Sequence, residues 1–289
     1  MQILEKILGT TSLSTFLERN FSQFPHSSAG GAKDYCWLDW EKAQDVFQAG
    51  LADLQLLHEG KIVSAPVNFE DAIGLYQQGD TLLLRNAEKF SPLLRELADD
   101  FARSFHTPVD IQLYCTPEGH NAFGWHFDVE EVFIIQSVGS KEYKIRPNAL
   151  HPHPLAGSMP KDLQFEREIT PFEIQVTLQA GDWLYIPSGW CHVARTQTES
   201  MHISVGLTPR SAHDILNYLP TYFASKSHWR TRLPVHKSFM DKQFEIAFYQ
   251  EAFKNLGKDL TSSLSDPEFI QSFLNHVRTD TRTPSELKA

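Results

Sequence analysis

The chain has 289 residues, of which 41% are hydrophobic and 21% are charged. This composition is typical of a folded globular protein and argues against a disordered one. The formal net charge is −10, from 36 acidic and 26 basic residues. Such an acidic balance argues against direct binding of nucleic acid through a broad surface, and leaves a basic protein partner open.

Cysteine usage and hydropathy predict a reducing, aqueous environment. Cys36, Cys115 and Cys191 offer no disulfide framework and no C-x-x-C pair for a structural zinc ion. The N-terminal segment carries charges every few residues and does not have the pattern of a signal peptide. No run approaches the roughly 18 apolar residues that a membrane span needs. We therefore expect a cytoplasmic protein without membrane contact.

The N-terminal part is predicted to alternate between helices and short strands. Apolar residues recur at helical spacing over 1–24, Trp40–Leu57 and Phe69–Gln77. Ser27–Ala32, with its two glycines, is predicted to be a flexible loop, and 61–68 one or two strands.

After this region, one more helix precedes a change of period. Thr81–Leu84 is an apolar strand, and Ser91–Phe105 is a helix that Ser91 caps, with Pro92 in its first turn. From Val109 onward the hydrophobic period becomes two. The predicted strands are Val109–Tyr114, Val132–Gln136, Glu142–Arg146, Glu173–Leu178, Trp183–Ile186 and His202–Leu207. Many short strands separated by Gly, Pro and Ser turns indicate a sandwich or barrel.

Two segments depart from this strand pattern. Asn148–Thr170 is rich in His, Pro and Gly and is predicted to be a loop over the site that could contact substrate. Residues 211–289 are predicted to turn helical and to fray from Arg278 to Ala289. The predicted C-terminal helices are Ala212–Leu219, Phe244–Leu256 and Pro267–Val277.

The stretch Trp125–Gln136 carries the strongest chemical signal. His126 and Asp128 form an H-x-D pair directly before an apolar run, and two residues that are two apart in a strand face the same side. His192 follows Asp128 after 63 residues, just beyond a Pro-Ser-Gly turn. Two histidines and one carboxylate form the facial triad that holds non-haem Fe(II) and leaves positions open for substrate and oxygen.

Simpler explanations exist for these histidines. The chain has 13 histidines, so an H-x-D pair can arise by chance on a surface. His151 and His153 are a rival metal pair, but they lie among prolines with no apolar strand after them. We therefore predict that the rival pair is surface loop.

At these motifs the chain resembles the JmjC/cupin-type 2-oxoglutarate oxygenases, especially the ribosomal-oxygenase-like and asparaginyl-hydroxylase-like branch. The resemblance spans roughly residues 80 to 208. The matching motifs are Tyr114-x-Thr116-Pro117-x-Gly119, His126-x-Asp128, Val132–Gln136, Gly139-Ser140-Lys141, Gly181-Asp182-x-Leu184-Tyr185-Ile186-Pro187-x-Gly189-x-x-His192 and Ser200-x-His202-x-Ser204.

The resemblance implies a fold and a division of the chain. The fold is mainly β with flanking helices, a double-stranded β-helix or jelly roll, plus a C-terminal helical region. The implied parts are an N-terminal segment of helices and strands packing on the core (1–80), a catalytic core (81–210) and the C-terminal helices (211–289). In relatives such helices often support dimerisation, so a homodimer is an expectation from resemblance. The same stripes would also suit packing on the barrel.

The resemblance also implies the cofactors and their ligands. Fe(II) would be held by His126, Asp128 and His192, and would work with 2-oxoglutarate and O2. Lys141 stands 15 residues after His126, where relatives place the Lys or Arg that binds the distal carboxylate of 2-oxoglutarate. A solvated hairpin lysine is the alternative. The remaining expected contacts to the cosubstrate are Gln112, Tyr114 and Ser204.

Several neighbours of the motifs are predicted to have minor roles. Lys144 should face away from Lys141, because it lies three residues further along the strand. Glu130 and Glu131 are expected at the rim of the site. His202 is expected to be a packed, hydrogen-bonded histidine, and an approach to the site is the alternative. Trp125, Trp190 and Cys191 are expected to wall the site or to pack beside it.

The expected function is an Fe(II)- and 2-oxoglutarate-dependent dioxygenase that hydroxylates a protein or peptide side chain, a substrate class that comes from the resemblance alone. The alternatives are a hydroxylase of a free amino acid or small metabolite, a demethylase, and a non-enzymatic metal-binding cupin. A cupin dioxygenase or isomerase without a cosubstrate would commonly use more histidine ligands.

Overall fold

A computed structural model describes residues 3–35, 38–58, 60–63, 66–155, 172–233 and 242–279. The chain divides into two compact units, one that runs to Pro209 and one that begins at Arg210. Among the described residues, no helix combines the length and the apolar character that a membrane crossing needs.

The helices begin and end close to their predicted positions, with one exception. In the described residues they are α1 (Ile3–Leu8), α2 (Leu13–Arg19), α3 (Trp40–Ala49), α4 (Phe69–Gln77), α5 (Pro92–Phe105), α6 (Ala212–Ala224), α7 (Lys242–Leu264) and α8 (Pro267–Thr279). Ser91 caps α5 as predicted, because its hydroxyl accepts a hydrogen bond from the backbone N–H of Leu94 at 3.4 Å. The exception is Trp40–Leu57: α3 ends at Ala49, and Leu54 begins a strand that pairs with Thr81–Leu84.

Strands of the described residues form two antiparallel sheets. They are β1 (His26–Ser28), β2 (Leu54–His58), β3 (Lys61–Val63), β4 (Thr81–Leu84), β5 (Val109–Thr116), β6 (Glu131–Val138), β7 (Ser140–Arg146), β8 (Ile174–Gln179), β9 (Trp183–Ile186), β10 (Cys191–Thr196) and β11 (Ser200–Leu207). The large sheet has the order β1-β9-β6-β11-β5-β4-β2-β3, and the small sheet has the order β10-β7-β8.

Besides β2, two strands differ from the sequence prediction. Ser27 and Ser28 lie in β1, which pairs with β9, so the predicted flexible loop at Ser27–Ala32 is wrong at its start. Pairing with an edge strand outweighs the local preference of serine for turns. β10 carries His192 and was not among the predicted strands; its register with β7 pairs His192 with Ile145.

The two sheets pack face to face, and helices cover the opposite side of the large sheet. Apolar residues of β6 and β9 meet residues of β7 and β8 in one buried cluster, which includes Ile134, Leu184, Ile145 and Leu178. A second cluster joins the other face of β5, β6, β9 and β11 to helices α1 to α5. Two packed antiparallel sheets with helices on one side confirm the predicted jelly-roll fold.

Gly139 makes the tight connection between β6 and β7 that sets the position of Lys141. Its φ is +67°, and a Cβ atom there would stand 1.8 Å from the carbonyl oxygen of Glu199. Only glycine fits a left-handed backbone with so little space. Lys141 is therefore the second residue of β7, buried between the two sheets.

The C-terminal unit contains α6, α7 and α8. Tyr218 of α6 packs on Phe269 and Phe273 of α8, with ring centroids 5.8 and 5.6 Å apart. The predicted helices are therefore present, and each extends beyond its predicted limits. The predicted frayed end falls mainly on residues 280–289, which lie outside the described residues.

Candidate functional site

His126, Asp128 and His192 lie together at one end of the space between the sheets. One potential ligand atom from each lies within 4.8 Å of the other two. The His192 Nε2 atom is 3.6 Å from Asp128 Oδ2, and the two imidazole centroids are 4.2 Å apart. Elsewhere in the described residues, no comparable cluster of three such side chains occurs. The structure thus brings together all three predicted ligands.

Both imidazoles are held in the tautomer that a metal ligand needs. The Nδ1 atom of His126 lies 2.8 Å from the carbonyl oxygen of Gly124, and that of His192 lies 3.1 Å from the carbonyl oxygen of Trp190. A carbonyl oxygen only accepts, so each Nδ1 carries the proton and each Nε2 keeps a free lone pair. Burial, together with the positive potential of His126, lowers the pKa of His192 to about 4. His192 is therefore neutral near pH 7.

A backbone bridge, and not a strand, positions the H-x-D pair. His126 N–H donates to the carbonyl oxygen of His192 at 3.1 Å, and His192 N–H donates to the carbonyl oxygen of His126 at 2.7 Å. Asp128 is tied to the turn before β10, because its carbonyl oxygen accepts from Gly189 N–H at 2.9 Å. The prediction that His126 and Asp128 share a strand is wrong, since β6 begins only at Glu131.

Behind the metal ligands lies a cavity of about 60 Å³, here called the inner cavity. Its lining residues are Tyr114, Ala122, Phe123, His126, Asp128, Val132, Ile134, Lys141, Tyr143, His192, Ala194, His202 and Ser204. Lys141 is only 1% exposed, and none of the described carboxylates forms an ion pair with it. Burial lowers the pKa of the Lys141 ammonium to about 7, and the nearby Cys115 thiol opposes this shift.

The donor set fits an iron ion together with an acid cosubstrate. The three side chains are of the types that Fe(II) accepts as ligands. They would bind the ion from one side and leave its other coordination positions open. A buried lysine without a protein counter-ion is costly, and an anionic ligand in the cavity would remove that cost. Lys144 faces the other side of β7, as predicted. Its Nζ atom lies 4.0 Å from Glu173 Oε1 at the surface.

A second, larger cavity of about 280 Å³, here called the outer cavity, also borders His126 and Asp128. It is lined by Arg85, Gln112, Tyr114, Phe123, His126, Asp128, Glu130, Val132, Ser204 and Gly206. Tyr114 and Ser204 border both cavities, whereas Gln112 borders only the outer one. The Tyr114 hydroxyl donates to Gln112 Oε1 at 2.8 Å, so these two predicted residues also hold each other.

Sequence reasoning missed three residues of this site. Arg85 follows β4, and its Nε donates to Gln55 Oε1 at 3.1 Å. Gly206 in β11 lies beside Asp110, whose Oδ1 would be 2.8 Å from a Cβ atom at this position. Tyr143 stands two residues after Lys141 on β7, and that spacing alone could have identified it as a member of the same face.

Both glutamates that follow the H-x-D pair are buried, so their prediction as rim residues is wrong. Glu130 is 5% exposed and borders the outer cavity. Glu131 is 3% exposed and accepts hydrogen bonds from the Tyr185 hydroxyl, from Ser22 Oγ at 2.7 Å and from Ser188 N–H at 3.3 Å. Glu131 therefore fastens the N-terminal segment to β6 and β9.

We expect Glu131→Ala to lower the free energy of unfolding by about 3 kcal/mol, because it leaves the buried Tyr185 hydroxyl and two partly buried donors without their acceptor. The thermal midpoint should fall by roughly 6 to 12 °C, measured by circular dichroism. Glu96→Ala is the matched control, since Glu96 is exposed on α5. A midpoint for Glu131→Ala equal to that of the control would contradict the assigned network.

The remaining predicted neighbours pack around the site. Trp190 lies against the cluster between the sheets, while Trp125 is covered by the Arg146 guanidinium, 4.5 Å from its ring centroid. His202 is buried and stacks on Tyr114 at 4.8 Å, which confirms the expected packing. Its Nδ1 atom has no hydrogen-bond partner among the described residues, so the expected hydrogen bonding is not found there. The ring of His151 packs on Phe127, with centroids 6.3 Å apart.

The remaining predictions concern the loop that contains His151 and His153, and the cysteines. His151 and His153 lie outside helices and strands, half-buried and exposed respectively, as predicted for a surface loop. Most of the predicted loop over the site, from 156 onward, lies outside the described residues. Cys115 and Cys191 are buried free thiols, and Cys36 lies outside the described residues.

Comparison with known proteins relates the core of the chain to one family. The family model described as "JmjC domain" matches residues 84–215, which contain the three predicted ligands and Lys141. The match covers 132 of the 289 residues, a little under half of the chain. It begins at the last residue of β4 and covers β5 to β11. The resemblance to the JmjC oxygenases found in the sequence is thereby confirmed.

Two curated relatives that match this region carry the same name. A protein of Dictyostelium discoideum is 32% identical over 135 residues, and one of Drosophila persimilis is 28% identical over 145 residues. Both are named bifunctional lysine-specific demethylase and histidyl-hydroxylase NO66. The matches cover 45% and 50% of this chain but only 26% and 20% of those relatives. The chain thus spans about a quarter or less of their length.

Solved structures share the fold over nearly the whole chain. Escherichia coli YcfD covers 95% of this chain with a TM-score of 0.68, at 19% identity and with 73% of its own chain covered. A second YcfD structure, described as a ribosomal oxygenase in complex with cobalt and 2-oxoglutarate, has a TM-score of 0.67 at 19% identity and covers 95% of this chain and 72% of its own. At this identity the likeness establishes the fold.

Proposed function

We propose that this chain is an Fe(II)- and 2-oxoglutarate-dependent dioxygenase that hydroxylates a protein or peptide side chain. The observation that carries the proposal is the arrangement of the inner cavity. A His-Asp-His triad stands at one end, and a buried lysine without a carboxylate partner among the described residues also lines it. A 2-oxo acid with a second carboxylate matches this arrangement, because its 2-oxo acid end can bind a metal ion and its second carboxylate can bind the lysine.

In the proposed site, each residue has a separable task. His126, Asp128 and His192 would hold Fe(II) on one face and leave the remaining positions free. Lys141 would bind the distal carboxylate of 2-oxoglutarate as a point charge in a dry environment. When bound, iron with 2-oxoglutarate and O2 supplies the oxidising chemistry that places one oxygen atom on a carbon of the substrate and the other in the succinate product.

Gln112, Tyr114 and Ser204, which were expected to contact the cosubstrate, take partly different tasks in this proposal. Gln112 borders only the outer cavity, so we assign it to the substrate side. Ser204 and Tyr114 lie at the boundary and would separate the two reactants. The packed apolar residues around Lys141 would exclude water from the reacting atoms, which limits side reactions.

The size of the outer cavity supports a side chain of a larger molecule as substrate. The outer cavity, at about 280 Å³, meets the metal ligands His126 and Asp128. NO66 is named as a histidyl-hydroxylase and a demethylase, and YcfD as a ribosomal oxygenase, and these names also support a protein substrate. A free amino acid remains the second candidate, because the cavity would also admit one.

Location and assembly remain predictions. A cytoplasmic location was inferred from the sequence, and homodimerisation through the C-terminal helices was inferred from resemblance. In the C-terminal unit, Leu216, Ile246, Phe253 and Ile270 expose large apolar side chains, which is compatible with a covered helical surface.

The proposal is tested by incubating the protein aerobically with Fe(II), 2-oxoglutarate and a peptide digest of ribosomal proteins. We expect tandem mass spectrometry to find a peptide that gains the mass of one oxygen atom. The gain should require 2-oxoglutarate and should be absent with Asp128→Ala. Turnover stimulated by free amino acids but not by peptides would favour the second candidate. Absence of any 2-oxoglutarate turnover, coupled or uncoupled, would support the metal-binding cupin.

A further inference from the structure

Two polar atoms around the inner cavity are buried without a hydrogen-bond partner among the described residues. They are the hydroxyl oxygen of Tyr143 and the Nδ1 atom of His202. Tyr143 is 2% exposed and His202 is 5% exposed, and both side chains line the cavity. Buried polar groups are nearly always satisfied in folded proteins, and these two belong to residues that line one cavity, where a bound ligand or water would satisfy them.

Tyr143 lies on the same face of β7 as Lys141. The two residues are two apart in a continuous strand, and both line the inner cavity. Tyr143 packs with Ile134 of β6 and Leu178 of β8 in the cluster between the sheets. Its ring is therefore held in place by packing.

The Tyr143 hydroxyl is available as a donor, whereas that of Tyr114 is engaged. Burial above all, with the negative potential of Tyr114, raises the pKa of Tyr143 above its ordinary value, so the phenol keeps its proton. The Tyr114 hydroxyl already donates to Gln112 Oε1 at 2.8 Å. A carboxylate can accept several hydrogen bonds, so it can bind an ammonium and a phenol together.

We propose that the Tyr143 hydroxyl donates a hydrogen bond to the carboxylate that Lys141 binds, which makes Tyr143 a second cosubstrate-binding residue on β7. This inference rests on the proposed function. It adds a neutral donor beside the charged one and gives the distal carboxylate a fixed orientation, because two donors from one rigid strand constrain it more than a single flexible ammonium does.

Tyr143→Phe tests the proposal, since it removes only the hydroxyl. In anaerobic calorimetry with Mn(II) in the metal site, the Kd of 2-oxoglutarate should rise about tenfold. The Kd of pyruvate, which keeps the 2-oxo acid end but has no distal carboxylate, should not change. Without ligand, the thermal midpoint should stay the same or rise, because the hydroxyl makes no bond to the described protein.

Tyr76→Phe is the matched control. Tyr76 is also buried, but its hydroxyl donates to Glu199 Oε1 at 2.7 Å and lines neither cavity. This variant should lower the thermal midpoint and leave the affinity for 2-oxoglutarate unchanged. The two tyrosines thus separate a structural hydroxyl from a ligand-binding one.

Three results would overturn the inference. An unchanged Kd of 2-oxoglutarate in Tyr143→Phe, or an equal loss for 2-oxoglutarate and pyruvate, would show that the hydroxyl does not contact the distal carboxylate. A clear fall in the midpoint of the ligand-free variant would assign the hydroxyl a structural role. If the wild-type protein binds no 2-oxoglutarate, both the proposed function and this inference are wrong. If the wild type binds 2-oxoglutarate and Tyr143→Phe binds it equally well, only the role of Tyr143 is wrong.

Discussion

Asp128→Ala is expected to weaken Fe(II) binding at least about a hundredfold, because loss of a residue that merely orients a ligand already costs roughly ten- to a hundredfold. Asp128 supplies the only carboxylate of the three-residue cluster found in the described chain. Without it, two neutral imidazoles remain, with less charge to stabilise a divalent ion. Anaerobic calorimetry, or competition with a metal-sensitive dye, measures the change.

Asp99→Ala is the control for this variant, since Asp99 is exposed on α5. It should bind iron as the wild type does. Equal iron affinity in Asp128→Ala and Asp99→Ala, with both proteins folded, would remove Asp128 from the metal site. Restored binding in Asp128→Glu would indicate that the carboxylate, and not the shape of the side chain, matters.

Lys141→Met is expected to raise the Kd of 2-oxoglutarate at least about thirtyfold while iron affinity stays unchanged. Loss of one partner from a buried charge pair commonly costs roughly 2–5 kcal/mol. Methionine keeps most of the apolar stem, so the packing around β7 should be preserved. Lys144→Met is the matched control, because Lys144 lies on the same strand and faces the surface. Similar effects of the two substitutions would contradict the assignment.

The affinity for 2-oxoglutarate should also depend on pH. Burial lowers the pKa of Lys141 from 10.5 to about 7, so in the cosubstrate-free protein the side chain is charged below pH 7 and largely neutral above it. A bound dianion favours the ammonium form, so binding above pH 7 takes up a proton. The affinity should therefore fall as pH rises, by up to about tenfold per unit. Calorimetry in buffers of different ionisation enthalpy measures the proton uptake, which should be absent in Lys141→Met.

The three candidate metal ligands could be predicted from sequence because this combination of residue types and neighbouring motifs is rare. Two histidines and an aspartate, each next to a turn and an apolar run, indicate a metal before any fold is known. Their local structure could not be predicted. His126 and Asp128 lie in a loop fixed by hydrogen bonds to His192 and Gly189, 66 and 61 residues further along the chain. No local pattern encodes such a bridge.

The same contrast holds for the buried acids and the outer cavity. Glu131 follows a predicted ligand pair, and a charged residue at a strand end is ordinarily solvated. It is buried because Ser22 and Tyr185, distant in sequence, satisfy it. Arg85 and Glu130 reach the outer cavity through the pairing order of the large sheet. Sequence periodicity predicted most of that sheet's strands, with β1 and β2 as exceptions, but not their order.

The central claim is that one cavity binds iron and 2-oxoglutarate together. It is tested most directly by adding 2-oxoglutarate to the Fe(II)-loaded protein under anaerobic conditions and recording the visible absorption spectrum. We predict a weak charge-transfer band that saturates with 2-oxoglutarate, is lost in His126→Ala, and needs much more 2-oxoglutarate in Lys141→Met. Iron that is demonstrably bound but gives no band at saturating 2-oxoglutarate would contradict the account.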